Sequence, residues 1–371
     1  MKTSIMGEQR LDYQLLGLTL LLTLFGLVML SSASSVLGYE RFGDTYFFTK
    51  QQAVHIVLGL IALAAAARIP PSWWRALALP GFLVTLALLV LVFIPGVGLS
   101  VNNSHSWVSL GPLNFQPSEF AKLGFLLYLA AWLEKRREHL GNFSYGFIPF
   151  LVLVGMLAGL VLLQPDVGTV ALIIITSVAL YFVAGAKLRH LVIVGALACA
   201  LLAAAVLSAP YRIERFLVLL DPGRDPGGVG YHVRQAMIAV GSGGWWGSGF
   251  GQSRQKYNYL PETAGDSIFA VMGEELGFLF TTAFVILLSL LVYRLMRCAR
   301  IAPTDMGRCF IAGVALWIAV QSLFNIGAMI GILPLTGVPL PFVSFGGSAI
   351  LSLLAAVGVC ISLSRTPSRT A

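Results

Sequence analysis

The sequence predicts an all-α polytopic membrane protein with about ten transmembrane helices, both termini cytoplasmic, and one long external loop between the seventh and eighth helices. Three observations predict it. Hydrophobic residues make up 57% of the 371 and charged residues only 11%, whereas soluble domains carry about 25% charged residues, and the mean hydropathy is +0.85. Apolar stretches recur at the length of about 20 residues that crosses a bilayer. Short basic loops alternate with loops poor in Lys and Arg, the asymmetry that marks the cytoplasmic side.

In order, the apolar stretches are 13–32, 51–68, 79–95, 117–133, 147–164, 167–185, 190–208, 267–293, 309–331 and 344–363. The first precedes 31-SSASS-35. It is longer than the signal-peptide core of about 7–15 residues, so an uncleaved anchor is expected. Arg68, Arg75, Lys135, Arg136, Arg137, Lys187, Arg189, Arg294, Arg297, Arg300 and Arg308 then share one side with both termini. The net charge of +8 is mostly topological signal and calls for no nucleic-acid partner.

Residues 1–371 read as a single transmembrane domain with two substantial external loops, at 96–116 and 209–266. The longer loop has an amphipathic helical piece and then a run with Gly241, Gly243, Gly244, Gly247, Gly249 and Gly251. That spacing fits neither G-x-G-x-x-G nor a Walker loop, so no nucleotide is expected. Glycines beside Trp245 and Trp246 instead suit backbone packed closely at the membrane surface. Cys199, Cys298, Cys309 and Cys360 form no C-x-x-C pair, which argues against a disulfide framework or a zinc site.

Ionisable residues near hydrocarbon must face protein or water. Glu119 and Lys122, in 116-QPSEFAK-122, are three apart on one helical face and can pair, either to lock helices or to serve a site. Asp166, in 164-QPDVGT-169, follows Pro165 as a first-turn acid at a helix start. The stretch 259-YLPETAGDSIFAVMGEELGF-278 gathers Glu262, Asp266, Glu274 and Glu275. Asp266 falls at the N-cap of the eighth span, where it caps the helix, or takes a proton from a bound hydroxyl, or does both. Glu274 and Glu275 lie further along that span, roughly 12 Å deeper at 1.5 Å per residue. There they read as an interior network, with Lys122 a candidate partner.

The chain resembles the SEDS family (shape, elongation, division and sporulation), which includes RodA and FtsW. The resemblance covers essentially the whole chain. It is carried by Trp107, 116-QPSEFAK-122, 164-QPDVGT-169, 230-GYHVRQAMIAVGSGGWWGSGFGQSRQKYNYLPE-262, Asp266 with 268-IFAVMGEELG-277, and 333-LPLTGVPLPFVSFGGS-348. It implies a peptidoglycan glycosyltransferase that polymerises lipid II at the outer face of the bacterial cytoplasmic membrane. The family's essential aspartate falls on Asp266, as base for the acceptor hydroxyl. Trp107, Gln235 and Glu262 fall on its motifs, and Glu119 with Lys122 on a polar pair that shapes the cavity. Arg212, Arg215, Arg234, Arg254 and Lys256 are candidates to neutralise the pyrophosphate, and a divalent cation (Mg2+ or Mn2+) at Asp266 would do the same. The implied partner is a class B penicillin-binding protein. FtsW-like stretches outweigh RodA-like ones, which favours a division role over elongation. The rival classes are a lipid-precursor flippase and a non-catalytic division scaffold. Two departures stand out: Ala264-Gly265 and Ser267 flank Asp266 where the family commonly has His-Thr and Phe, and Phe345 replaces a common Tyr.

Overall fold

The computed structural model describes residues 12–101, 104–110, 113–208, 210–221 and 227–365. The chain forms α1 (Tyr13–Ala33), α2 (Ser35–Phe42), α3 (Phe47–Arg68), α4 (Pro71–Leu91), α5 (Pro117–Lys135), α6 (Ile148–Leu162), α7 (Val167–Val183) and α8 (Leu188–Leu207). It continues with α9 (Pro210–Leu220), α10 (Val229–Ser242), α11 (Ile268–Ile301), α12 (Asp305–Met329) and α13 (Gly347–Leu363). Each apolar stretch identified from sequence falls on a helix. Seven helical segments are long and apolar enough to cross a membrane, and α7 and α13 are shorter apolar helices. The protein is therefore polytopic.

α12 is the central helix and packs against α5, α7, α11 and α13. Its Phe310, Ile311, Val314, Ala315 and Ile318 are fully buried. α8 lies at the periphery, with only His190, Val194 and Ala205 buried.

Three features differ from the sequence reading. α4 starts at Pro71, not at 79, because Pro70 ends the preceding segment and Pro71 is pre-set for a first turn; Trp73, Trp74 and Arg75 had masked that turn by lowering its hydropathy. The loop at 96–116 contains an antiparallel sheet of β1 (Gly98–Val101), β2 (Ser104–Leu110) and β3 (Leu113–Phe115), in the order β1-β2-β3. The third difference matters most for the site: α11 is broken at Gly277 (φ 72°, ψ −177°).

The glycine-rich run satisfies that break. Phe278 and Leu279 donate to the carbonyls of Gly244 and Trp245, at 2.8 and 3.2 Å. Ser248 and Gly249 donate in turn to the carbonyls of Glu274 and Glu275, at 2.9 and 3.0 Å. Backbone groups freed by a broken helix must find partners, and here a loop supplies them. A Cβ at Gly277 would lie 2.2 Å from the Gly247 nitrogen, so the crossing requires glycine. The close backbone packing expected of 241–251 is thus realised, against a helix break that apolar periodicity does not reveal.

Candidate active site

The residues around Asp266 are fixed from two sides. Glu262 adopts a left-handed conformation (φ 51°), and its carbonyl accepts from the N–H groups of Gly265 and Ser267 at 3.0 and 3.1 Å. This is a tight turn immediately ahead of α11. On the other side, α12 and the 333–346 stretch between α12 and α13 grip three successive carbonyls. Phe345 N–H donates to Ala264 at 2.8 Å, Ser344 Oγ to Gly265 at 2.7 Å, and Asn325 Nδ2 to Asp266 at 2.8 Å. Asn325 also donates to Val338, at 3.0 Å. Buried backbone acceptors satisfied one after another hold the peptide rigidly.

Asp266 does not cap α11. The N-cap position belongs to Ser267, whose side chain makes no capping bond. The Asp266 carboxylate is half-buried and is not the capping group of α11. Burial, then the nearby Glu262 carboxylate, push its pKa up to about 6, while the Arg215 guanidinium opposes them. Arg215 stands on α9 and donates to the carbonyl of Leu335 at 3.1 Å. His232, on α10, meets the Ser267 hydroxyl at 2.6 Å. Burial and then Arg215 lower its imidazole to about 4, so it is neutral at physiological pH.

Glu119 and Lys122 connect to the same loop from behind. Lys122 Nζ donates to Glu119 at 2.8 Å and to Gln321 Oε1 at 3.2 Å, and lies 4.9 Å from the centre of the Trp317 ring. Gln321 donates onward to the carbonyl of Pro339 at 2.8 Å. A narrow cavity is lined by Glu119, Trp317, Gln321, Pro339 and Ser344. The ion pair therefore braces the loop that cradles Asp266. Gln321→Leu, which removes both links, is expected to cost about 1–3 kcal/mol, read as a lower melting temperature of the purified protein.

Lys122 does not meet Glu274 or Glu275, which corrects that expected pairing. Glu275 pairs with Lys256 at 2.9 Å and accepts from Ser32 Oγ at 2.7 Å. Glu274 accepts from Ser253 Oγ at 2.5 Å and from Arg254 N–H at 2.8 Å. Ser32 ends α1, whose other end is held by Asp12 bound to Arg294 at 2.9 Å. The 21 residues of α1 span roughly 30 Å at 1.5 Å per residue. The two glutamates therefore sit beside the Ser32 end of α1, and the break at Gly277 follows them directly.

The other expected site residues are placed as follows. Asp166 caps α7, accepting from Thr169 N–H at 3.0 Å, so its helix-start role holds. Arg212 closes the end of α8, donating to Ala205 O at 2.7 Å and to Ser208 Oγ at 3.1 Å. Arg234 and Gln235 are half-buried on α10, Arg254 is exposed, and Trp107 is half-buried on β2 opposite Leu99. Lys256 is buried in its pair with Glu275. Among the described residues no group of three or more His, Cys, Asp or Glu could hold a metal.

The family model described as cell cycle protein, covering FtsW, RodA and SpoVE, matches residues 13–369. The chain belongs to that family. It is 41% identical to stage V sporulation protein E of Bacillus subtilis (strain 168) over 354 residues, 95% of this chain and 97% of the relative. It is also 41% identical to the probable peptidoglycan glycosyltransferase FtsW of Thioalkalivibrio sulfidiphilus (strain HL-EbGR7) over 362 residues, 96% and 90% of the two chains. A chain from the structure described as "Structural coordination of polymerization and crosslinking by a peptidoglycan synthase complex" superposes with a TM-score of 0.79 at 32% identity, covering 95% and 97% of the two chains. The rod shape determining protein RodA of Thermus thermophilus superposes at 0.72 with 28% identity, covering 96% and 97%.

Within this SEDS fold, five residues at the site escaped the sequence reading: His232, Ser267, Gln321, Asn325 and Ser344. One signal was present for two of them. Trp317, Gln321 and Asn325 recur every fourth residue along an otherwise apolar span, a polar stripe on one helical face. His232 and Ser344 carry no local pattern, and only the fold brings them to Asp266.

Proposed function

We infer that the chain is a peptidoglycan glycosyltransferase that polymerises lipid II, with Asp266 as the general base. The observation that carries this reading is the Asp266 carboxylate itself, uncapped, raised toward neutral pH, and set on a turn whose carbonyls 264–266 accept one backbone and two side-chain hydrogen bonds. A base tuned near its working pH is the efficient one. It takes the proton of the acceptor sugar's 4-hydroxyl. That oxygen bonds to the donor's anomeric carbon, the bond to pyrophosphate breaks, and undecaprenyl pyrophosphate leaves. Arg215 acts on the same turn and is the cation we assign to the developing negative charge, with Arg234 and Arg254 further along the pyrophosphate path. Asp266 is the carboxylate that would hold a divalent cation; bound there, it would supply further charge neutralisation for the pyrophosphate. Lys256, committed to Glu275, and Arg212, committed to α8, serve the scaffold.

The ten helices at the predicted stretches support a ten-span arrangement. The basic loops support cytoplasmic termini and a site on the external face of the bacterial cytoplasmic membrane. Relatives named FtsW and a sporulation protein support a division-type role. The similar chain from a synthase that couples polymerisation to crosslinking supports a class B penicillin-binding protein as partner. The direct test gives purified protein labelled lipid II in detergent, with and without such a transpeptidase. Glycan strands are expected; their absence under both conditions would leave a flippase or a scaffold.

A pH–rate profile reads the base. Turnover is expected to fall as pH drops through about 6, where Asp266 takes up its proton. Glu262→Gln removes the adjacent negative charge, so the limb moves to lower pH. A limb that stays in place would exclude Glu262 as the neighbour that raises Asp266.

A further inference from the structure

Ser267 is spent in an unusual way for a helix start. A serine at the N-cap ordinarily turns its hydroxyl onto an N–H two or three residues ahead. Here the side chain makes no such bond, although it is fully buried. Its carbonyl accepts from Ala270 N–H at 2.9 Å, and its hydroxyl is turned away from the helix to His232 Nε2, 2.6 Å distant. The contact joins residues 35 apart in sequence, linking α10 to the residue that immediately follows Asp266.

We propose that His232, acting through Ser267, is a positioning residue for Asp266, fastening the base to α10. The inference rests on Asp266 being the base. The carbonyls of 264–266 are held by Phe345, Ser344 and Asn325, whereas the side chain of the next residue, Ser267, is held by His232. The hydrogen bond to His232 extends that hold to the residue after Asp266 and fixes where the carboxylate points. A neutral imidazole suits the task. Arg215, Glu262 and Asp266 already set the charge around this turn, and an imidazolium beside Arg215 would add a second positive charge that favours the ionised, weakly basic carboxylate. His232 therefore contributes direction without charge. Because Arg234 and Gln235 lie on the same helix, a substrate that grips α10 also sets the base in register with the hydroxyl it deprotonates.

The test is a double-mutant cycle in the lipid II assay. His232→Leu and Ser267→Ala are each expected to lower kcat about tenfold, the scale of loss from a slightly misdirected group, with KM within about twofold of wild type. The double variant falls no further than either single one, as residues acting through one contact do. His232→Gln, whose amide can meet the same hydroxyl, recovers most of the turnover. The acidic limb of the pH profile stays where Asp266 sets it. Backbone hydrogen exchange over 262–270 reads the same tether without substrate: both single variants exchange about tenfold faster than wild type, and the double variant is equal to them. Losses that multiply in the double variant, wild-type turnover and exchange in His232→Leu, or a His232→Gln as slow as the leucine variant would each overturn the proposal. If wild type makes no glycan while exchange follows this pattern, the catalytic reading fails and the tether stands.

Discussion

Asp266→Asn is expected to reduce glycan synthesis about a thousandfold, within the range that loss of a positioned general base produces, while the protein stays folded. The substitution keeps the shape of the side chain and removes only its ability to accept a proton. The carboxylate caps no helix, and the turn is held by the carbonyls of 264–266, which an asparagine leaves untouched. The charge is in fact a liability for folding. Because its pKa is raised from 3.8 to about 6, Asp266 binds its proton more tightly folded than unfolded. That contribution to stability is fully present below pH 3.8 and is lost as pH rises through about 6. At pH 7 the asparagine variant should therefore melt no lower than wild type. Lipid II polymerisation and a thermal melt on one preparation separate the cases. A variant that polymerises normally ends the assignment of Asp266, and one that is inactive only because it has unfolded leaves the loss uninterpreted as catalysis, which the melt reveals.

The fold was largely legible because the bilayer imposes a simple rule, that backbone at hydrocarbon depth must satisfy itself and side chains there must be apolar. That rule locates helices, and every apolar stretch is one. It does not locate interruptions. Gly277 sits inside the single apolar stretch 267–293, and what breaks α11 there is the backbone of 244–249 pressing against it, a contact between segments distant in sequence. The same limit governed the site. Asp266 was legible because a carboxylate at the edge of a span is conspicuous, and Glu119 with Lys122 because they pair locally. Lys256 with Glu275 was not, since nothing in 251–256 announces that its lysine turns inward. The groups that aim Asp266 were least legible of all. Ser344 and His232 act through a backbone carbonyl and a neighbouring hydroxyl, and such bonds leave no charge complementarity in the sequence; Asn325 left only its place in the polar stripe of α12.

Lys256→Met is expected to destabilise the protein by about 3–5 kcal/mol, the cost of leaving a buried carboxylate without its cation. Both side chains are almost sealed from solvent, at 3% and 0% exposure. The ammonium also reaches Ser32 at 3.0 Å and the carbonyl of Gly251 at 2.7 Å, so one lysine joins the glycine-rich loop, the end of α1 and the short helical segment 268–276. Asp266 stands just ahead of that segment, and Glu274 and Glu275 close its far end. Removing the lysine therefore frees the end of the segment opposite the base. A lower melting temperature and faster tryptic cleavage after Arg254 are the expected readouts, with a loss of turnover that follows the loss of stability. The paired change Lys256→Met with Glu275→Gln discriminates the cause. It removes the stranded charge together with its partner, so most of the melting temperature returns if desolvated charge is the dominant cost. If the double variant is as unstable as Lys256→Met alone, the lysine's bonds to Ser32 and Gly251 carry the energy, and the ion pair is incidental to the hold on segment 268–276.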